Sequence, residues 1–259
     1  MPENHFGEDV AARYDDPSDS MFAPSAIAPV VDLLAGLAGD GAALELGIGT
    51  GRIAVPLAQR AIPVHGIDLS EAMVARLRAK PGAEPIGVTI GDFATTRVDG
   101  TFTVAYLVYN TINNLTTQDA QVACFQNVAA HLAPGGHFVI EVGVPDLRRL
   151  PPGQTAVPFT VAPDRLGFDE YDVVGQGMVS HHYWRKEDGG FDSLSVPFRY
   201  VWPAELDLMA RLGGMSLRER WSDWARSPFT AESTSHVSVW RKDGPAVPGT
   251  MIETSRTKE

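Results

Sequence analysis

The sequence predicts an α/β domain: a doubly wound, mostly parallel sheet with an antiparallel β-meander inserted after the fifth core strand. Short apolar runs alternate with amphipathic helical patterns across residues 42–143, the rhythm of right-handed crossovers in a parallel sheet. A glycine-rich turn, GIGTG (47–51), follows the first apolar run directly. Beyond Pro145 the texture becomes aromatic and β-branched, broken by GQG and EDGG turns, which reads as a meander.

Residues 24–39 space their apolar side chains as a helix does and complete an N-terminal helical cap over 1–41. The core unit, 42–145, opens with the buried strand AALEL (42–46) and a helix over 52–61. A strand over 62–69 leads to a helix over 70–80, for which Ser70 is a good N-cap. Strands over 85–93 and 101–110, a helix over 116–133, a PGG turn and a strand over 137–143 finish the alternation. In the meander unit, 146–202, the Pro/Gly-rich stretch 147–159 reads as a connector, and 165–174, 177–186 and 191–202 as strands. Pro203 opens a helix over 203–213, and 215–224 and 233–242 are closing strands of the unit 203–242. The tail, 243–259, has no periodicity and is expected to be mobile.

With 259 residues, a net charge of −11 and a pI near 5.0, the chain lacks the basic stripe of a phosphate-backbone reader. No nucleic-acid partner is expected. Cys124, alone and within a helical pattern, cannot form an internal disulfide, which points to a reducing cytoplasm. The N-terminus has neither a basic start nor an apolar run, and no stretch approaches the ~18 apolar residues of a membrane span. The expected partner is a small molecule.

Gly47, Gly49 and Gly51 let the chain turn tightly and let a ligand approach bare backbone. A dinucleotide site asks for G-x-G-x-x-G, and Arg52 stands where the order departs from it. Glu45, on the preceding strand, suits a cationic ligand better than a pyrophosphate. Asp68 ends the next strand, 21 residues after Gly47, and Asp92 ends the one after. Three acids after three successive parallel strands lie along the carboxyl edge, where ligands bind.

Taken together, ELGIGTG, GIDLS, GDF and LAPGGHFVIE resemble the class I S-adenosylmethionine-dependent methyltransferases, over roughly residues 42–143. The resemblance implies a Rossmann-like fold in which Glu45, Gly47, Gly49, Gly51 and the adjoining Arg52 cradle the methionine end of S-adenosyl-L-methionine. Asp68 would bind the ribose hydroxyls with Leu69 against the adenine, and Asp92 the adenine amino group with Phe93 beside it. Tyr109 and Asn110 would lie under the sulfonium and face the acceptor. Tyr14, in VAARYD, resembles a tyrosine that many small-molecule members fold over the cofactor. S-adenosyl-L-homocysteine would be the product.

Absences narrow the acceptor. The fourth strand ends in VYNTINN and not in the N/D-P-P-Y/F of nucleobase or glutamine methyltransferases, and the clustered acids of a metal-dependent catechol site are missing. No metal is expected. The meander resembles in layout the partial lid of bacterial natural-product methyltransferases, amino-sugar N-methyltransferases among them. Its candidate wall residues are Tyr171, His181, Tyr183, Trp184, Phe198 and Tyr200, unless these rings merely pack the sheet's own core. His181 and His182 must point to opposite faces of a strand. His181, sharing a face with Tyr183 and Val179, is the candidate base, and with Tyr14 and Asn110 completes the candidate catalytic set. Two other readings stand beside methyl transfer: an NAD-type oxidoreductase on a related sheet, and a non-catalytic module that binds the same cofactor.

Overall fold

The computed structural model describes residues 4–16, 20–186 and 188–244. The expected mobile tail lies outside them except for Asp243 and Gly244.

A seven-stranded sheet runs in the order β3-β2-β1-β4-β5-β11-β10. Its strands are β1 (Ala43–Leu46), β2 (Val64–Asp68), β3 (Gly87–Ile90), β4 (Phe102–Leu107), β5 (Leu132–Gly143), β10 (Met215–Trp221) and β11 (Ser235–Lys242). The first five are parallel, and β11 lies antiparallel against β5. After β1 the chain winds outward through β2 and β3, then returns to β4 on the other side of β1. That reversal opens a crevice at the carboxyl ends of β1 and β4.

Helices cover both faces: α1 (Glu8–Tyr14), α2 (Pro24–Ala38), α3 (Ala54–Ala58), α4 (Glu71–Arg78), α5 (Gln118–His131) and α6 (Pro203–Leu212). Ser70 Oγ caps α4 by accepting the Met73 N–H at 3.1 Å, and Thr117 Oγ1 caps α5 by accepting that of Ala120 at 3.2 Å. On one face Phe125, Phe138 and Trp240 meet edge-on or tilted at 5.0–6.1 Å between ring centres. On the other, Leu34, Ile53 and Leu57 are fully buried beneath α2 and α3.

Three local expectations need correction. The helix expected over 52–61 is the short α3, because the glycine loop extends to its start and Ala61, at φ 61°, ends it. The expected PGG turn lies inside β5 as a bulge: Phe102 faces Leu132 and Val104 faces His137, with Gly135 at φ 81° absorbing the extra chain. The expected connector contributes a strand, β6 (Ala156–Val161), so the meander has four strands, β6 to β9, with β7 (Arg165–Asp172), β8 (Gly177–Arg185) and β9 (Phe191–Arg199). Prolines concealed β6 and do not prevent it, since Pro158 sits on an edge strand beside a register shift.

A buried arginine ties the meander to the core. Arg199, at the end of β9 and 4% exposed, donates to Gln176 Oε1 at 3.0 Å and Glu205 Oε1 at 2.7 Å, and also to Gln121 Oε1. Gln121 lies on α5 and Glu205 on α6, so this buried node sets the inner face of the meander over the crevice.

Candidate active site

Gly47, Gly49 and Gly51 all adopt left-handed backbone, at φ 69°, 53° and 77°. A Cβ on Gly47 would stand 2.6 Å from Thr111 Cγ2, and one on Gly51 would strike Leu77 Cδ1. Asp68 braces the loop: its Oδ2 accepts the Gly49 N–H at 2.6 Å and its Oδ1 the Ser70 N–H at 2.8 Å. Burial raises this carboxyl, and backbone donors at Ser70, Gly49 and Leu69 oppose the rise. Each oxygen still has a lone pair for a ligand hydroxyl.

Two hollows meet at Gly47. One is lined by Asp68, Leu69, Asp92 and Phe93, with Asn4, His5 and Phe6 across it. The other is lined by Tyr14, Glu45, Gly49, Arg52, Tyr109 and Thr111. Ten of the eleven residues expected to hold a cofactor thus surround a single bipartite hollow. Gly51 faces away from it, and its contribution is the turn.

Glu45 is only 3% exposed, and its Oε2 accepts the Tyr106 hydroxyl at 2.9 Å. Burial pushes its carboxyl up to about 8, against the Tyr106 hydrogen bond and the charge of Arg52. The Arg52 guanidinium donates to the Met21 carbonyl at 3.1 Å and lies 5.4 Å from the centre of the Tyr109 ring. Tyr14 packs edge-on between Phe6 and Phe22, and burial pushes its hydroxyl up to about 12. Next to it, Asp15 receives the Thr50 hydroxyl at 2.6 Å and pairs with Lys80 at 2.7 Å, which draws α1 down over the loop.

Past β4 the chain turns through two consecutive left-handed residues, Tyr109 at φ 56° and Asn110 at φ 63°. Non-glycine residues pay for this conformation, which recurs where a site demands it. Glu141, whose role the sequence did not announce, braces the turn: it accepts the Tyr109 N–H at 2.9 Å and the Trp224 indole N–H at 2.8 Å. The Asn110 side chain is used as well, its Oδ1 accepting the Gly143 N–H at 2.6 Å.

Between this turn and the inner face of the meander lies a cleft of about 500 Å³. Of the expected wall residues, Tyr171, Phe198 and Tyr200 line it. His181 does not line it; His182 does, contrary to the expectation from the sequence. The β7–β8 register sets Ser180 opposite Asp169 and Met178 opposite Tyr171, and that face, with His182, is the one turned to the cleft. His181 lies on the other face with Tyr183, stacked on Phe168 at 4.8 Å, 2.8 Å from Ser195 Oγ and 3.5 Å from Glu170 Oε2. Alternation alone could separate the two faces, but it could not say which one the core would cover.

His182 Nε2 lies 3.2 Å from Ser180 Oγ, and its Nδ1 is buried without a partner. Burial and then Arg165 hold its pKa below the ordinary value, despite the opposing pull of Asp169. Phe159 reaches His182, at 5.2 Å between ring centres, by lying across Gly167, where any Cβ would strike the ring. Asp169, Ser180 and Asn113 also line the cleft and were not singled out from the sequence.

A methyltransferase-domain model matches residues 43–136. The chain is similar to the CcbJ methyltransferase of Streptomyces caelestis, at 33% identity and a TM-score of 0.83, over 94% of this chain and all of that one. It is 27% identical over 201 residues to a cypemycin N-terminal methyltransferase from a Streptomyces species, covering 76% of this chain and 81% of that protein. The amino pentose methyltransferase CalS10 of Micromonospora echinaspora shares the fold, with a TM-score of 0.68 at 22% identity over 93% of this chain and all of that one. The chain belongs to the class I S-adenosylmethionine-dependent methyltransferase family.

Proposed function

We propose that this protein transfers a methyl group from S-adenosyl-L-methionine to a small molecule held in the cleft beneath the meander. The observation that carries this reading is Glu45: a buried carboxyl with no basic group in ion-pair contact among the described residues, facing a hollow. The ligand's ammonium answers that acid, and its carboxylate answers Arg52. A pyrophosphate would bring the wrong charge to Glu45. Asp68 accepts the ribose hydroxyls, Leu69 and Phe93 enclose the adenine, and Asp92 meets its amino group. Tyr14 and Tyr109 supply aromatic surface and hydroxyl oxygens near a sulfonium.

When bound, the cofactor supplies an electrophilic methyl: the acceptor's lone pair forms the new bond to carbon, the carbon–sulfur pair stays on sulfur, and any proton on the acceptor atom is released. The protein's share is chiefly alignment, worth up to ~7–11 kcal/mol in well-oriented systems. The braced Tyr109–Asn110 turn, between hollow and cleft, is suited to that work. Tyr14 and α1 exclude water from above. His182 Nδ1, neutral at pH 7, is placed to take a proton from the acceptor.

Asp68→Ala should weaken S-adenosylhomocysteine binding about ten- to hundredfold by calorimetry, the worth of a charged hydrogen bond of about 1.5–3 kcal/mol. An affinity within twofold of wild type would remove Asp68 from the site. His182→Gln should lower turnover about 100-fold, the scale of a general base, while leaving S-adenosylhomocysteine affinity intact; His181→Gln should keep full turnover. Wild-type turnover should fall with pH only below the ordinary histidine value of about 6.5, because burial lowers His182. Full activity in His182→Gln would mean that no histidine base is used.

A further inference from the structure

We infer that the cleft receives its acceptor as a protonated amine, with Asp169 as the counter-ion, which rests on the methyltransferase reading only for the cleft's role. The charge inventory carries the inference. Among the described residues lining the cleft, Asp169 is the one carboxylate, and there is no lysine or arginine. Asp169 is half-buried, takes a hydrogen bond from Ser180, and forms no ion pair with any described basic residue. Burial raises its carboxyl, with Ser180 and the two histidines opposing. A desolvated acid of this kind is costly until a cation arrives.

Two further atoms speak for the same ligand. Asn113 Oδ1 and His182 Nδ1, both on residues lining the cleft, are buried without hydrogen-bond partners. Buried acceptors are normally satisfied, so these two call for donors. An ammonium supplies both N–H donors and a positive charge. A neutral alcohol would satisfy one acceptor and leave Asp169 uncompensated, and a carboxylate or phosphate would meet a like charge. The remaining walls, Phe159, Tyr171, Phe198 and Tyr200, present the ring surfaces over which a cation gains energy. Tyr171 and Tyr200 are 5.6 Å apart between ring centres.

The test uses a matched pair of probes on protein saturated with S-adenosylhomocysteine at pH 7: 3,3-dimethylbutan-1-amine, a protonated amine that carries N–H donors, and its neutral isostere 3,3-dimethylbutan-1-ol. Binding is read by NMR titration. The amine should bind at least about tenfold more tightly than the alcohol to wild type, and Asp169→Asn should erase the difference. Asp192→Asn, on an exposed carboxylate paired with Lys186, should not. Asp169→Asn should also keep its S-adenosylhomocysteine affinity, which shows that the variant is folded. Equal binding of the two probes by wild type, absence of amine binding, or a preference surviving in Asp169→Asn would overturn the inference. Failure of wild type to bind S-adenosylhomocysteine would count against the methyltransferase reading instead.

Discussion

Arg199→Met is expected to destabilise the protein by about 3–5 kcal/mol, the scale for removing one partner of a buried ion pair, and to lower the melting temperature by about 10 °C. Methionine fills the space but leaves the Gln121 and Gln176 side-chain oxygens without the Arg199 donor and Glu205 without its cationic partner. Burial alone would raise the Glu205 carboxyl; hydrogen bonds from Arg199, Gln118 and Gln176 hold it below the ordinary value. That contribution to stability is present above the unfolded pKa and lost as pH falls through the lower folded one. In the variant, Glu205 should bind its proton at higher pH, so the loss of stability that this carboxyl causes on acidification should shrink or reverse relative to wild type. Thermal melts across pH 3–7 read both effects, and a loss below about 1 kcal/mol would mean that the node does not hold the meander. Because Arg199 joins β9 to α5 and α6, binding in the acceptor cleft should weaken more than binding in the cofactor hollow.

Glu45→Gln should abolish a pH dependence of stability. The folded protein holds a proton on Glu45 up to about pH 8, whereas the unfolded chain releases it near 4.5. The raised value therefore stabilises fully below about 4.5, and that contribution is lost as pH rises toward 8, by at most about 1.4 kcal/mol per unit. In the glutamine variant the slope disappears, so at pH 8 the ligand-free variant should melt higher than wild type. Its cofactor binding should suffer nonetheless, since the ligand's ammonium loses its counter-ion. At pH 7 wild type should release up to one proton on binding, seen as a dependence of calorimetric enthalpy on the buffer's ionisation enthalpy; the variant should show none from this group. Identical stability slopes in the two proteins would place the charge elsewhere.

Much of this was legible in the sequence because backbone geometry demands particular residues. Left-handed turns at Gly47, Gly49 and Gly51 favour glycine, and Asp68 at a strand end can brace only what the strand order brings beside it. Those constraints are local or follow from alternation, so the parallel sheet and the bipartite hollow could be read directly. The acceptor side was not legible in the same way. Which meander face turns inward depends on where Arg199 docks, a contact between residues 199, 121 and 205 that has no short-range signature. Hence His182 stands in the cleft where His181 was expected, and Asp169 and Asn113 went unnoticed. Glu141 was visible in FVIE, but nothing nearby in the chain indicated that it would hold Tyr109 and Trp224. The strand β6 was concealed by prolines that an edge strand tolerates.

On the reading proposed above, the glycine loop, Glu45 and Asp68 bind S-adenosyl-L-methionine for methyl transfer. Titration calorimetry of the purified protein with S-adenosyl-L-homocysteine and, separately, with NADH tests it most directly. S-adenosylhomocysteine should bind saturably and one-to-one, more weakly in Asp68→Ala and Glu45→Gln, and NADH should bind at least about 100-fold more weakly, the combined scale of a mismatched charge at Glu45 and of lost charged hydrogen bonds. Preference for NADH, or no binding of S-adenosylhomocysteine by folded wild-type protein, would contradict it.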